Sequence, residues 1–442
     1  MLHKIKKLVP TWMTAPYHWA LAWISAIVYR FPSNKLIVIG VTGTNGKSST
    51  IQFIAQMLEG LGKTVGYTGT AGFYIAGETI ENKMKMTMPG RFFLQRLLRD
   101  MVRAKCQYAL VETTSQGIEQ YRHLGINYDV VLFTNLTPEH IESHGGFDQY
   151  KAAKGKLFAH LTNRKRKVIG NERMEKTSVI NADDPHASYF SKFDADRHVK
   201  FSWSEDDGGE DVIDVHALSH DIDGAHVKIN NVDGLIPMHA LFQQKNAVAA
   251  LSVVHSLGFG LRECMKVMEN LDSLPGRFEI IDEGQDFQVI VDYAYEPYAL
   301  EALLSAAEKL PHKRIIGVHG SCGGGRDVAR RDKIGRLAGH REDVVIVTNE
   351  DPYDEDPRCI IEAVAKGVKA TGKREGESLF IIDDRMEAIQ HAIDIAKKGD
   401  IVLLTGKGSE TVMAVAGGRK TPWSDREAAH QALKRRKASS LV

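Results

Sequence analysis

The sequence predicts an α/β fold made of two domains, each built around a mostly parallel sheet. Short apolar runs typical of buried strands alternate with segments of helical periodicity along most of the chain, and this alternation is typical of parallel sheets covered by helices. The 442 residues suffice for two to four domains of about 100–200 residues each. A hydrophobic fraction of 43% with 26% charged residues is that of an ordinary globular protein.

The first α/β series begins after Pro32-Ser33-Asn34. The apolar run at 35–40 predicts a buried strand, and the periodic segment at 50–61 predicts the helix that follows it. Short alternating segments from about Phe201 to Met238 predict an antiparallel excursion. The other elements predicted in this series are strands at 108–112, 129–134 and 178–181, and helices at 91–105, 150–161, 245–257 and 261–271.

Leu274-Pro275-Gly276 interrupts the pattern and predicts a domain boundary. The strands predicted beyond it lie at 289–293, 314–318, 344–348, 379–382 and 401–405, with helical patterns between them. We therefore divide the chain into a short aromatic helical segment at 1–34, a central domain at 35–274 and a C-terminal Rossmann-like α/β domain at 275–442. Because ligands bind at the carboxyl ends of parallel strands, the loops after these strands are the candidate sites.

Charge balance and cysteine content exclude two classes of protein. Lys and Arg number 57 against 56 Asp and Glu, a net charge of +1, so we expect no nucleic-acid partner. The four cysteines lie far apart without a CxxC pair, which excludes a zinc ribbon and gives no disulfide framework. We therefore expect a reducing, cytoplasmic location.

The N-terminal segment permits three interpretations. Lys4, Lys6 and Lys7 precede a largely apolar, aromatic stretch at 17–31, and no small-residue cleavage site follows. The stretch is short for a membrane span and contains His18. A helix packed on the following domain, an interfacial helix and a true span all remain open, and the interfacial form predicts peripheral contact of residues 1–31 with the inner face of the membrane.

The strongest local motif lies between the first strand and its helix. It consists of Gly43, Thr44, Asn45, Gly46, Lys47 and Ser48, followed by Ser49. Glycines let backbone N–H groups approach phosphate oxygens at the positive end of a helix. Lys47 can neutralise phosphate charge, and the Ser48 hydroxyl suits Mg²⁺. The strict Walker spacing fails, since Val41 stands where it requires glycine, but the context predicts a P-loop ATPase domain.

Three further candidates are weak when each is taken alone. Glu112 ends a predicted strand, where its carboxylate could reach a metal beside the P-loop, or simply cap a turn. His140 follows the next strand and could be a metal ligand, although a single loop histidine is more often structural. Lys154 lies in a segment that reads as a cationic amphipathic helix.

Together these motifs resemble the Mur ligase family, in particular the members that add the third amino acid of the peptidoglycan stem peptide. The resemblance covers about residues 35–430. It rests on the ordered series GTNGKS, ETTSQG, FTNLTPEH, HGGFDQYKAAK, INADDP, GRFE, VDYA, GSCGGGRD, NEDPYDEDP, GKGSE and SDR.

The resemblance implies an ATP-dependent acid–amino-acid ligase. ATP would convert an acceptor carboxylate to an acyl phosphate, which the amine of a free amino acid attacks, with two Mg²⁺ ions managing the charge. The implied acceptor is a UDP-N-acetylmuramyl-dipeptide in peptidoglycan synthesis. A lipid-linked acceptor, or a folylpolyglutamate or cyanophycin synthetase-like activity, is the alternative. We also expect a monomer.

The resemblance implies roles for residues at matching positions. Lys47 and Ser48 would hold phosphates and the first Mg²⁺, Glu112 would bridge towards the metals, and His140 would bind the second ion. Lys154 matches a lysine that CO₂ converts to a carbamate, whose anionic oxygen can bind Mg²⁺ where an ammonium would repel it. The implied nucleotide contacts at the other end of ATP are Asn246, Arg277 and Asp292, with Tyr295 where the family has histidine.

Substrate contacts follow in the same way. The acceptor would be held by Thr87, Thr114, Gln120 and Arg122. The incoming amino acid would be held by Arg326, Glu350, Asp351, Tyr353, Gly406 and Glu410. Diaminopimelate-adding relatives carry DNPR where this chain has EDPY, so Tyr353 replaces an arginine that can clamp a distal carboxylate. An L-lysine-like substrate fits this change, while diaminopimelate and another amino acid remain open.

The segment before the first predicted strand has only 34 residues. We expect it to be too short for the separate domain that grips the UDP group in related tripeptide-forming ligases. The choice between a UDP-linked and a lipid-linked acceptor therefore stays open.

Overall fold

A computed structural model describes residues 11–70, 72–82, 86–138, 144–203, 211–221, 223–325 and 328–439, with side chains from Ala15 onward. The chain divides into two compact units, Met1–Asp272 and Ser273–Val442. Each unit carries its own sheet, and the predicted α/β class is confirmed.

The first unit follows the predicted alternation of strands and helices. In chain order its elements are α1 (Thr11–Val28), β1 (Ile37–Thr42), α2 (Lys47–Gly60), β2 (Val65–Thr68), β3 (Gly72–Ile75), β4 (Glu78–Glu81), α3 (Arg91–Arg103), β5 (Tyr108–Glu112), α4 (Ser115–Glu119), β6 (Val130–Phe133), α5 (Phe147–Thr162), β7 (Val168–Ile169), β8 (Glu172–Arg173), β9 (Thr177–Asn181), α6 (Ala187–Phe190), β10 (Arg197–Ser202), β11 (Val212–Asp221), β12 (Gly224–Ile229), β13 (Val232–Ile236), α7 (Leu241–Ser256) and α8 (Leu261–Met268).

Within the described residues, eleven strands form one sheet in the order β13-β12-β11-β10-β9-β6-β1-β5-β2-β3-β4. The strands from β10 through β2 run parallel, and β1 lies between β5 and β6 with Val41 beside both Glu112 and Leu132. Successive side chains of these buried strands face opposite layers of helices. Val38 joins a core with residues of α3 and α5, and α2 packs against α7. The three central strands therefore end at one edge, above which the P-loop lies.

Two parts of this sheet differ from the sequence prediction. The strands β2, β3 and β4 were not predicted, because they are four residues each and β4 is wholly exposed. The predicted antiparallel excursion is present in β11, β12 and β13, but β11 first pairs in parallel with β10. Short strands carry too little periodicity to be recognised without their neighbours.

Helix α1 packs on the first unit and also exposes apolar side chains. Ala22 and Ala26 are buried, and Gly125 lies against them so closely that a Cβ there would contact the Ala26 methyl. Tyr17, Trp19 and Ile27 are 61%, 53% and 60% exposed. Packing, the first of the three interpretations, therefore holds for one face of the helix.

None of the helices in the described residues is both long and apolar enough to cross a membrane.

The second unit is a smaller α/β layer structure. Its elements are β14 (Glu279–Ile281), β15 (Gln288–Asp292), α9 (Pro297–Ala307), β16 (Ile315–His319), α10 (Ala329–Arg341), β17 (Val344–Val347), α11 (Pro357–Lys369), β18 (Leu379–Ile381), α12 (Arg385–Ile395), β19 (Ile401–Thr405), β20 (Val412–Val415), β21 (Arg419–Pro422) and α13 (Asp425–Ser439). In its described part the main sheet has the order β14-β15-β19-β16-β17-β18, parallel except for β14. The loops after β15, β16, β17 and β19 therefore share one edge.

Candidate active site

The P-loop is a tight turn whose glycines cannot carry side chains. A Cβ on Gly43 would collide with the Thr134 hydroxyl, and one on Gly46 would collide with the Asn246 side-chain oxygen. Gly46 also has a φ of 82°, which favours glycine, and it caps the N-terminus of α2. The loop is tied down by Asn135, whose Oδ1 accepts the Asn45 N–H at 2.8 Å. This cradle of backbone beside a helix start fits phosphate oxygens.

Lys47 and Thr44 close over this turn. The Lys47 Nζ donates to the carbonyl oxygens of Gly43 at 3.1 Å and Thr44 at 2.7 Å. The Thr44 hydroxyl lies 3.1 Å from the hydroxyl of Tyr150 on α5. The lysine charge is thus held at the loop, where a phosphate group would need neutralisation.

Glu112 collects hydroxyl and amide donors beside the P-loop. Its Oε2 accepts the Ser48 hydroxyl at 2.8 Å and the Thr70 N–H at 3.0 Å, and the carboxylate is 1% exposed. Ser49 is buried next to Ser48 in α2. A hydroxyl and a carboxylate are hard oxygen donors of the kind that bind Mg²⁺ together with substrate phosphates. The donor set therefore fits a magnesium ion on phosphates.

No group of three or more His, Cys, Asp or Glu side chains able to hold a metal occurs in the described residues. His140, the predicted ligand of a second ion, lies outside them, as does Arg326. The described side chains therefore do not form a metal site made of protein ligands alone.

Lys154 is buried beside the P-loop. Its side chain is 1% exposed, and its Nζ donates to the Gly43 carbonyl at 2.7 Å and lies 4.5 Å from the centre of the Tyr150 ring. Lys151 and Lys156, on the same helix, instead make ion pairs with Asp148 and Glu119. One lysine of the three thus faces the nucleotide loop.

Thr87, one of the predicted acceptor residues, is linked to Glu112 through Thr70. The Thr70 hydroxyl approaches both Glu112 and, at 2.9 Å, the hydroxyl of Thr87. Thr114 caps α4 by accepting the Gly117 N–H at 3.1 Å. Gln120 and Arg122 are joined by a 2.6 Å hydrogen bond. Thr70 was missed by sequence reasoning because the short strand that precedes it was missed.

In the second unit, Arg277 and Asp292 lie close to one another. The Asp292 carboxylate accepts the N–H groups of Phe278 at 2.7 Å and Ala294 at 2.8 Å. Burial raises the pKa of Asp292 to about 6, and the nearby Arg277 opposes that rise. The Arg277 guanidinium lies 4.4 Å from the centre of the Tyr293 ring. Asp292 therefore organises the loop after β15. Asn246, the third residue of this predicted set, belongs to the first unit.

The predicted amino-acid residues surround a buried lysine that sequence reasoning did not single out. Lys407 is 0% exposed and its Nζ binds Asp351 Oδ1 at 3.0 Å and also Glu410 Oε2. The GKGSE motif contains this lysine, so its charge beside two acidic residues was the available signal.

Glu350 is the unusual member of this group. It is 2% exposed, its Oε1 accepts the Cys322 thiol at 2.8 Å, and its Oε2 has no hydrogen-bond partner among the described residues. A Cβ on Gly406 would collide with that carboxylate, so Gly406 and Glu350 are in direct apposition. Tyr353 packs its ring on the backbone of Gly324. The predicted residues of this loop cluster that the structure describes are thus brought together.

Residues 41–254 match the Mur ligase middle domain, and residues 276–408 match the Mur ligase glutamate ligase domain. The chain is 37% identical over 424 residues to a UDP-N-acetylmuramyl-tripeptide synthetase from Roseiflexus sp. (strain RS-1), covering 94% of this chain and 82% of that protein.

A second relative, from Geobacillus thermodenitrificans (strain NG80-2), is a UDP-N-acetylmuramoyl-L-alanyl-D-glutamate--2,6-diaminopimelate ligase that is 35% identical over 423 residues, 95% of this chain and 83% of that one. A solved structure of a ligase with the same description is similar with a TM-score of 0.60 and 26% identity over 91% of this chain and 79% of that chain. The motif order, the two domain matches and these identities agree, and the chain belongs to the Mur ligase family.

Proposed function

We propose that this protein is an ATP-dependent ligase that joins a free amino acid to the peptide of a UDP-N-acetylmuramyl acceptor through an acyl phosphate. The observation that carries the proposal is the convergence of Lys47, Ser48 and Glu112 on one glycine-rich turn, with Lys154 buried beside it. We assign the ATP chemistry to residues 35–274 and the incoming amino acid to residues 275–442.

The chemical difficulty is that an anionic carboxylate must approach the γ-phosphate. Lys47 would offset part of this charge repulsion, since its ammonium is fixed over the loop by two carbonyl oxygens. Ser48 and Glu112, with His140 as a further predicted ligand, would hold Mg²⁺, which when bound offsets the phosphate charge. Thr70 and Thr87 continue the polar surface towards the acceptor and orient its carboxylate. The contribution of these residues is positioning and charge stabilisation.

Lys154 carries the finer part of the proposal, a carbamate made from CO₂. Its burial supports this, because a lysine at 1% exposure beside the P-loop lies where an ammonium is costly. Conversion to a carbamate would replace that cation with an oxygen ligand beside the P-loop.

The incoming amino acid is proposed to be L-lysine-like. Glu350, Asp351 and Glu410 supply three carboxylates, and Lys407 supplies one ammonium that is already bound to two of them. The buried Arg385 is ion-paired with Asp425, and Glu350 and Asp351 also help to raise its pKa. Glu350 is left with a thiol donor and an oxygen that lacks a partner in the described residues. Both L-lysine and diaminopimelate carry a distal ammonium that could satisfy that oxygen. Diaminopimelate adds a second carboxylate on the same carbon, which Glu350 would repel, and L-lysine does not.

Phosphate release measured over a matrix of acceptors and amino acids tests both statements. We expect turnover with ATP, UDP-N-acetylmuramoyl-L-alanyl-D-glutamate and L-lysine, with kcat/KM for L-lysine at least about 10-fold above that for diaminopimelate, since one charge-assisted contact is worth about that factor. Glu350→Gln should remove most of this preference, and Glu355→Gln, a change in the same loop at the partner of Arg331, should not. A clear preference of the unaltered protein for diaminopimelate would overturn the lysine assignment.

Peripheral contact with a membrane is a separate proposal, carried by the exposed apolar residues of α1. Tyr17, Trp19, Ile24 and Ile27 are each about half exposed or more, on a helix that buries Ala22, Ser25 and Ala26. Such a surface, following the basic residues at 4–7, suits an anionic interface.

Sedimentation with vesicles tests the membrane contact. We expect the protein to sediment with vesicles rich in anionic lipid, and the combined Trp19→Ser and Ile27→Ser variant to remain in the supernatant. Phe92→Ser, at an exposed aromatic residue on α3, is the control for a general loss of apolar surface. Equal sedimentation of the unaltered protein and the double variant would exclude α1 as the contact.

A further inference from the structure

Two arginines meet at the acceptor side of the first unit, and only one of them was predicted as a substrate contact. Arg91 begins α3, and Arg122 lies after α4. Both bind Gln120: Arg91 donates to its backbone carbonyl oxygen, and Arg122 Nη2 donates to its side-chain Oε1 at 2.6 Å. A single glutamine therefore holds the two guanidinium groups side by side.

Neither guanidinium is neutralised by an acidic side chain among the described residues. Arg122 also donates to the Met88 carbonyl, so the partners of both arginines are neutral oxygens. The Nε atoms of Arg91 and Arg122 are both buried and lack hydrogen-bond partners in the described part of the chain. Two other arginines of this unit are ion-paired, Arg166 with Asp196 and Arg197 with Asp211. Arg164 also has a buried Nε without a partner among the described residues, and it lies over the Trp23 ring.

The pKa shifts of the two arginines agree with the lack of an acidic partner among the described residues. Burial and, to a smaller extent, the neighbouring Arg91 together lower the pKa of Arg122 to about 10. Burial also lowers the pKa of Arg91, and the interaction with Tyr17 opposes this fall. Two adjacent, partly buried cations are costly until an anion lies between them.

The position of the pair indicates which molecule supplies that anion. Met88, whose carbonyl holds Arg122, follows Thr87, and Thr87 is linked through Thr70 to Glu112 at the P-loop. An acceptor whose reacting carboxylate lies near Glu112 would extend along this path. Its remaining anionic groups would then reach the two arginines.

We propose that Arg91 and Arg122 together form an oxyanion-binding site for a non-reacting anionic group of the acceptor, and that Arg91 sets the preference for acceptors carrying that charge. The inference rests on the proposed ligase function. The ligand group is a carboxylate or a phosphate: an acceptor ending in glutamate keeps one carboxylate when the other reacts, and a UDP-linked acceptor carries a diphosphate. Arginine forks bind either group with paired hydrogen bonds.

Steady-state kinetics of Arg91→Met test the site. We expect the KM for UDP-N-acetylmuramoyl-L-alanyl-D-glutamate to rise about 10- to 100-fold, the range for loss of charged hydrogen bonds. The kcat and the KM for ATP should change less than about twofold, and Arg91→Lys should recover part of the loss because it keeps the charge without the fork. Arg96→Met is the matched control, since Arg96 is exposed on the same helix and stacks on Phe93.

Two acceptor analogues identify the group that is bound. One has the non-reacting carboxylate converted to an amide, and the other lacks the UDP phosphates. The KM ratio of Arg91→Met to the unaltered protein should fall to about one with the analogue that lacks the bound group and stay high with the other. An unchanged KM in Arg91→Met, or the same ratio for all three acceptors, would overturn the proposal.

A binding measurement separates this inference from the proposed ligase activity. Calorimetric titration without ATP uses glutarate and inorganic pyrophosphate as probes. Binding of one probe should be at least about 10-fold weaker in Arg91→Met than in the unaltered protein and in Arg96→Met, whether or not the protein turns over the acceptor. Equal binding of both probes by all three proteins would overturn the oxyanion site, whereas absent turnover with a preserved binding difference would overturn only the ligase proposal.

Discussion

Replacing Lys154 with alanine is expected to lower ATP turnover in the presence of acceptor and amino acid by about 10²–10³-fold, the scale seen when a single preorganised charge-stabilising group is removed. The reason is the proposed carbamate: without it the site loses an anionic oxygen beside the P-loop. The lysine is buried and within 2.7 Å of the Gly43 carbonyl, so no exposed side chain can substitute.

Chemical rescue separates a carbamate from a plain structural lysine. Short carboxylic acids such as formate and acetate should restore part of the activity of Lys154→Ala, because they can supply the missing carboxylate oxygens in the space left by the side chain. Removal of CO₂ and bicarbonate should lower the activity of the unaltered protein. A loss of activity that no carboxylic acid restores would assign Lys154 to structure alone.

Lys151→Ala is the matched control on the same helix. Lys151 is ion-paired with Asp148 near the surface, so its removal should leave turnover within about twofold. Retained ATP binding by Lys154→Ala shows that the P-loop is intact in that variant. Undiminished turnover in Lys154→Ala would refute a catalytic role for this position.

Asp129→Asn is expected to lower the free energy of unfolding by about 3–5 kcal/mol, a larger loss than for the exposed control variant described below. Asp129 is fully buried between two lysines, with Lys167 Nζ at 2.6 Å and Lys176 Nζ at 3.1 Å. Its Oδ2 also accepts the Val38 N–H of β1 at 2.8 Å. The change removes the one carboxylate bound to both lysines in the described residues and leaves two buried cations uncompensated.

Chemical denaturation at constant pH measures this loss. Asp148→Asn is the control, because it also removes a carboxylate that binds a lysine, but at an 86% exposed side chain, and should cost no more than about 1 kcal/mol. Equal losses in the two variants would contradict the assignment of the buried cluster as a determinant of stability.

The loss in Asp129→Asn should depend on pH in a defined direction. Burial lowers the pKa of Lys167 to about 8, and the Asp129 carboxylate opposes this fall. Without the carboxylate the folded-state pKa drops further, so the folded variant binds fewer protons than its unfolded chain over a window that extends below pH 8. Stability rises with pH wherever the unfolded state binds more protons. The deficit relative to the unaltered protein should therefore narrow between pH 6 and pH 8.5, and a deficit that widens would contradict this account.

Much of the fold and of the nucleotide site could be predicted because their signals are local. The strand at 401–405 and the P-loop at 43–48 are short stretches whose apolar runs and glycines act on their own backbone. Helix α2 begins at Lys47, three residues before the predicted start, because Gly46 adopts the left-handed conformation at its cap. The strands β2 to β4 were missed because their stability comes from neighbours rather than from pattern.

By itself, the sequence determined the parallel α/β order, the P-loop and the family, since each depends on residues that are close in the chain or on the order of motifs. Only the tertiary structure decided which side chains act together. Ser48 and Glu112 are 64 residues apart and share a hydrogen bond, and Lys407 reaches Asp351 across 56 residues. The pairing of Arg91 with Arg122 through Gln120 has no local signal at all. Hydrogen bonds and charges act through space over a few ångströms, and the separation of two residues along the chain does not determine whether folding brings them within that distance.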